Sequence, residues 1–211
     1  MSPLDWDHNA YYQRLLLREV PAGSGRVLEV GCGAGSLAAR LARRAEHVDA
    51  IDLSPQMIEA ARRRTPDNVR CVLADMMEYP FAEGEYDAVV SMTALHHVPL
   101  EPALERLSAA VRPGGVLAAV ALPRVVLPRE LPIVALAALG HRAYGLALVS
   151  LRGLTGREWY RFEDTHDQMP KVLDPALSTA QVRSTAARVL PGSRVRRLLY
   201  WRYLLRWQRP H

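Results

Sequence analysis

At 211 residues the chain can bury one sizeable core and is too short for two full domains. Two cysteines, Cys32 and Cys71, exclude a disulfide framework, and a net charge of +5 permits an acidic partner without requiring one. The opening "MSPLDWDHNAYYQ" is polar and aromatic where a secretory leader would be basic and then apolar, so a cytoplasmic soluble protein is expected.

In chain order, "DWDHNAYYQRLLLREV" (5–20) predicts a helix stopped by Pro21 and Gly23, and "RVLEV" (26–30) a first strand. A helix is expected over 35–44 and a second strand at "HVDAID" (47–52). Ser54 caps a helix with Pro55 at its first position, running to about Arg64. "VRCVLA" (69–74) and "EYDAVVSM" (85–92) are strands three and four, followed by a helix near 100–111. "RPGG" turns into a fifth strand, "VLAAVAL" (116–122). A capped helix at 178–190 precedes two closely spaced strand-like runs, "RVRRLLYW" and "RYLLRWQ". Strands alternating with helices predict a mostly parallel α/β sheet with helices on both faces.

Such a sheet binds its ligand at the carboxyl ends of its strands, where strand order reverses. Acids stand at those ends: Glu29 closes strand one, Asp52 closes strand two and Asp75 follows strand three. Between them "VGCGAGS" (30–36) forms a glycine loop at a strand–helix junction, a place that commonly cradles an anion. Glu29, two residues before Gly31, would repel a pyrophosphate, so the ligand must offer a cation. Asp52 is placed to accept from ribose hydroxyls. Asp75 is placed to accept from an adenine amino group, with Met57 or Met76 against the ring. An adenosine with an amino-acid tail meets all of these demands, and that ligand is S-adenosyl-L-methionine (SAM). Packing glycines, turn acids and core methionines are the competing readings of the same residues.

The stretches "VLEVGCGAG", "AIDLSPQMIEAAR", "VLADMMEYPF", "YDAVVSMTALHHV" and "LSAAVRPGGVL" resemble, in order and spacing, the motifs of class I SAM-dependent methyltransferases. Within that superfamily they resemble the small bacterial small-molecule enzymes of the ubiquinone/menaquinone-methyltransferase-like type. The resemblance, over about residues 26–121, implies a Rossmann-like seven-stranded sheet with a C-terminal antiparallel strand. It implies SAM as cofactor and S-adenosyl-L-homocysteine (SAH) as product. It also places Glu29, Gly31 and Gly33 at the methionine moiety, Asp52 and Leu53 at the ribose, and Asp75 and Met76 at the adenine. Tyr11 and Tyr12 resemble aromatic residues that close over the cofactor's amino-acid end, with core packing as the alternative.

The acceptor is less legible. His96 and His97 follow strand four on the cofactor side, and successive residues on a helical turn point about 100° apart, so one of them is expected to face the site. His166, in "EDTHDQMP" (163–170), is a third candidate base. Residues 123–170 depart from the minimal fold. Pro128, Pro132, His141 and Arg142 interrupt their apolar run, so two short helices are expected rather than a membrane span, which needs about 18 uninterrupted apolar residues. They would form a lid or acceptor pocket with Tyr144, Trp159, Tyr160 and His166, or a dimer face. No metal site is indicated. The whole chain reads as one methyltransferase domain, monomeric or homodimeric, acting on a small molecule, with specialised metabolism as the expected setting. Two alternatives stand beside it. One is a SAM-binding protein of this fold with a non-methylation role. The other is an RNA methyltransferase, using Arg196, Arg197, Arg202, Arg206 and Arg209 beside Trp201 and Trp207. The absence of an Asn/Asp-Pro-Pro-aromatic tetrad after strand four disfavours methylation of exocyclic amines in nucleic acids.

Overall fold

A computed structural model describes residues 2–160, 162 and 175–211. Seven strands form one sheet in the order β3-β2-β1-β4-β5-β7-β6. They are β1 Ser24–Val30, β2 Ala45–Asp52, β3 Val69–Leu73, β4 Tyr86–Met92, β5 Val111–Ala121, β6 Arg194–Leu198 and β7 Arg202–Gln208. β1 to β5 pair in parallel, and β7 runs antiparallel to both β5 and β6. The predicted α/β architecture with its reversed C-terminal strand is the one observed. β5 starts earlier than expected: Val111 already pairs with Tyr86, and the register then shifts, so "RPGG" lies inside the strand as an irregularity.

The apolar alternation of the strands makes two cores. Val27 faces one, with Leu16 of α1 (His8–Glu19), Leu37 of α2 (Ser36–Leu41) and Ile58 of α3 (Pro55–Arg64). Leu28 and Val30 face the other, with Leu104 and Leu107 of α4 (Leu100–Ala110) and Val182 and Ala186 of α6 (Thr179–Val189). Helix ends follow their capping chemistry: Asp7 accepts from Asn9 N at 2.7 Å, and Ser178 and Gln181 form a reciprocal capping box. A buried polar node ties the amino ends of the strands. Asp49 accepts from Arg26 Nε at 2.9 Å, Arg70 Nε at 2.7 Å and the Tyr86 hydroxyl at 2.9 Å.

The insert differs from expectation. In place of two short helices, residues Leu131–Thr155 form one 25-residue helix, α5. Pro132 does not break it because it stands in the first turn, where its missing N–H has no intrahelical partner to lose. By length and composition α5 is apolar enough to cross a membrane, a test the interrupted sequence had been expected to fail.

Candidate active site

Strand order reverses between β1 and β4, and a cavity of about 590 Å³ opens there at the carboxyl ends of β1, β2 and β4. Glu29, Gly31, Gly33, Asp52, Leu53, Met57, Asp75, Met76, His96 and His97 all line it.

Glu29 stands on the Val27 side of β1, where the alternation of the strand turns its carboxylate under the glycine loop. It is 1 % exposed, and among the described residues its Oε2 has no hydrogen-bond partner. Burial, reinforced by the Asp52 charge, raises its pKa well above the ordinary value. A carboxylate oxygen left bare at a cavity wall calls for a donor, ideally a cationic one. The loop above it is tightly determined. Gly31 N and Cys32 N both donate to Ile51 O, at 2.9 and 3.0 Å. Gly31 has φ +72°, and a Cβ there would lie 2.3 Å from Ala94 Cβ, so only glycine lets the loop and the segment after β4 approach this closely. Burial pushes the Cys32 thiol up, leaving it an inert small side chain.

Asp52 takes one backbone N–H on each oxygen: Gly33 N on Oδ2 and Ser54 N on Oδ1, both at 2.9 Å. Each oxygen keeps a second lone-pair direction for a ligand. Its neighbour Leu53 is 69 % exposed, an apolar platform on the cavity rim. Asp75 closes a turn by accepting from Met77 N at 2.8 Å. Met57 and Met76 are buried and line the cavity as well, so the same side chains belong to the core and to the cavity wall.

Both His96 and His97 reach the cavity, which corrects the expectation of one. The turn Leu95–His97 is a short 3-10 segment with its two imidazoles stacked obliquely, centroids 4.1 Å apart. Burial, then the charges of His97 and Arg202, lower the His96 pKa to about 3, and among the described residues its Nδ1 has no partner. His97, less buried, is lowered by desolvation alone. Thr93, two residues before Leu95, lines the same wall with φ 56°, a strained conformation for a β-branched residue.

Tyr11 and Tyr12 do not line the cavity. Tyr12 is buried, its hydroxyl accepting from Tyr200 N at 3.1 Å, and Tyr11 packs edge-on against Trp6. Tyr144 and Tyr160 join the same aromatic cluster around Trp6, and Trp159 is exposed; none of the three lines this cavity. The remaining candidate, His166, lies outside the described residues. In place of the tyrosines, α1 and its cap present Asp7, Asn9 and Gln13 to the cavity, and β7 contributes Arg202. Arg202 donates to Asn9 Oδ1 from Nη2 at 3.0 Å, and burial lowers its pKa to about 10 while Asp7 opposes the shift.

This sheet order, with an unpartnered buried acid, an acid closing β2 and a glycine loop at its reversal point, is that of a class I SAM-dependent methyltransferase, and the chain belongs to that family. The family model described as "Methyltransferase domain" matches residues 27–115. Over 207 residues, 97% of this chain and 98% of the relative, the chain is 36% identical to an uncharacterised methyltransferase of Mycobacterium tuberculosis. Over 107 residues it is 36% identical to the ubiquinone biosynthesis O-methyltransferase of Xylella fastidiosa, covering 46% of this chain and 42% of the relative. The fold is that of the N-methyltransferase NodS from Bradyrhizobium japonicum, whose structure contains SAH. That likeness has a TM-score of 0.62 at 18% identity, over 99% of this chain and 91% of NodS. SAM is the cofactor, and the bare Glu29 oxygen, the glycine-only approach at Gly31 and the apolar Leu53 platform fit it.

Proposed function

We propose that the chain, read as one domain over residues 1–211, methylates an oxygen, nitrogen or carbon nucleophile of a small molecule in the cytoplasm. Bound SAM supplies a methyl carbon already activated by its sulfonium. The protein's part is to align donor and acceptor and to exclude water. In this reading Glu29 and the 31–35 loop hold the methionine end, Asp52 and Leu53 the ribose, and Asp75 with Met76 the adenine. His97 or His96 takes a proton from the acceptor when it carries one.

The observation that carries the proposal is the undivided extent of the cavity. It runs without a break from the acid-lined strand ends to His96, His97 and Leu122, in the volume range of small-molecule sites. The RNA reading has weaker support, because most of the arginines it would need are committed within the chain. Arg206 pairs with Glu19 at 2.6 Å, Arg209 with Glu83 at 3.2 Å and Arg197 with Glu130 at 3.4 Å. The test is mass spectrometry of the protein incubated with SAM and fractionated small metabolites. A methylated product formed in step with SAH supports the proposal. SAM consumption without any methylated product would point to a non-methylation reaction. RNA retention that falls steeply with salt would point to the RNA alternative.

A further inference from the structure

Helix α5 is about 37 Å long at 1.5 Å per residue. It is held to the body along one narrow face. Ala137, Gly145 and Leu148 are buried, and a Cβ at Gly145 would lie 2.3 Å from Leu4 O. The Trp6 indole donates to His141 O at 3.1 Å. Much of the rest is exposed and apolar: Leu131, Leu136, Leu139, Leu146, Leu151 and Leu154 are exposed, Leu154 by 84 %, with Arg142 and Ser150 among them. A soluble surface seldom carries so long an apolar strip without a partner.

The charges on this segment decide among partners. From residue 131 to 157 the charged side chains are Arg142, Arg152 and Arg157, with no carboxylate among them. A second copy presenting the same strip would bring like charges together. A membrane-spanning helix would carry His141 and Arg142 through the hydrocarbon, at high cost, and would strip α5 from Trp6 and Leu4. A helix lying in the plane of an anionic bilayer satisfies both features: the leucines enter the acyl boundary, and exposed Arg142 reaches the headgroups along its own alkyl stem. We propose that α5 is an in-plane docking surface for an anionic lipid bilayer. The residues it packs against, Trp6 and His8, are chain neighbours of Asp7 and Asn9 on the cavity wall, so docking and cavity share one part of the fold.

The experiment is sedimentation of the full chain with phosphatidylcholine vesicles, with and without about one-third phosphatidylglycerol. Binding is expected to the anionic vesicles, weaker to the neutral ones and weakened by salt. Leu139→Glu/Leu146→Glu should lower anionic-vesicle partitioning at least about tenfold. Both positions are exposed, so the circular dichroism spectrum and SAH affinity should be unchanged, and the SAH titration reads the cofactor site separately. No binding by the parent chain to anionic vesicles, or equal binding by the double variant, overturns the proposal. A dimer in light scattering that the double variant dissociates, without vesicle binding, overturns it in favour of a second copy.

Discussion

Glu29→Gln should push stability and ligand affinity in opposite directions. With its Oε2 bare and its pKa raised by burial, the carboxyl group opposes folding of the ligand-free protein whenever it is ionised. The sign is fixed by linkage. The folded-state pKa exceeds the ordinary 4.5, so the group's stabilising contribution is complete below pH 4.5 and is lost as pH rises through the raised value. The isosteric amide removes that charge and should stabilise the ligand-free protein at neutral pH by about 1–3 kcal/mol. For a chain of this size that is a rise of about 3–10 °C in Tm. The same substitution removes a charge-assisted hydrogen bond to the cofactor's ammonium, worth about 1.5–3 kcal/mol. SAH affinity should therefore fall by roughly 10- to 150-fold. 5′-Methylthioadenosine, which lacks the amino-acid tail, should bind parent and variant alike. Differential scanning calorimetry and titration calorimetry read the two effects. An unchanged or lowered Tm together with intact SAH affinity would refute the assignment of Glu29.

Asp52→Ala should cost about 2–3 kcal/mol of SAH affinity in calorimetry, since the loss of its acceptors also frees the N–H groups of Gly33 and Ser54; unchanged affinity would remove it from the site. Asp49→Ala should cost about 1–3 kcal/mol in chemical denaturation, because it leaves the buried Tyr86 hydroxyl without its acceptor and removes one partner each from Arg26 and Arg70, while leaving SAH binding nearly intact. If His97 is the base, its neutral form is the active one, and its lowered pKa moves the acid limb of kcat/KM below pH 6.5, with a flat profile above it. His97→Ala should then slow turnover by about a hundredfold with SAH affinity retained; near-normal rates in both His97→Ala and His96→Ala would leave positioning as the whole of the chemistry.

The strand ends were legible because a parallel sheet gathers its ligand at one edge, and the acids at those ends had few other reasons to be there. Glu29, Asp52 and Asp75 could be placed from the chain alone, and all three line the cavity. The period of a strand also separates the two acids of "HVDAID". Asp49 and Asp52 are three apart and so point to opposite faces; Asp49 went into the structural node and Asp52 to the cavity. Helix ends fell within a few residues wherever a cap was written in the sequence, as at Ser54 and Ser178. The length of α5 is hidden in the sequence because a proline in the first turn of a helix looks like one that divides it.

In sequence Arg202 is one arginine of a basic tail, and it belongs to the cavity because of strand direction. In β1 to β5 the last residues lie at the ligand edge, but β7 is reversed, so its first residue lies there; Tyr203 pairs with Ala121, at the end of β5. An arginine opening a reversed strand is therefore in the same position as an acid closing a parallel one. It meets Asn9 across 193 residues of sequence, and no local pattern foreshadows such a pair. The tyrosines of α1 take the packing alternative that the sequence left open. Periodicity places Tyr11 and Tyr12 on the N-terminal helix, but the face of that helix turned to the cavity carries Asn9 and Gln13, with the cap residue Asp7 beside them, while the tyrosines pack against Trp6 and Tyr200. What the sequence lacked in both cases was the relative placement of distant elements, which is set by packing between them.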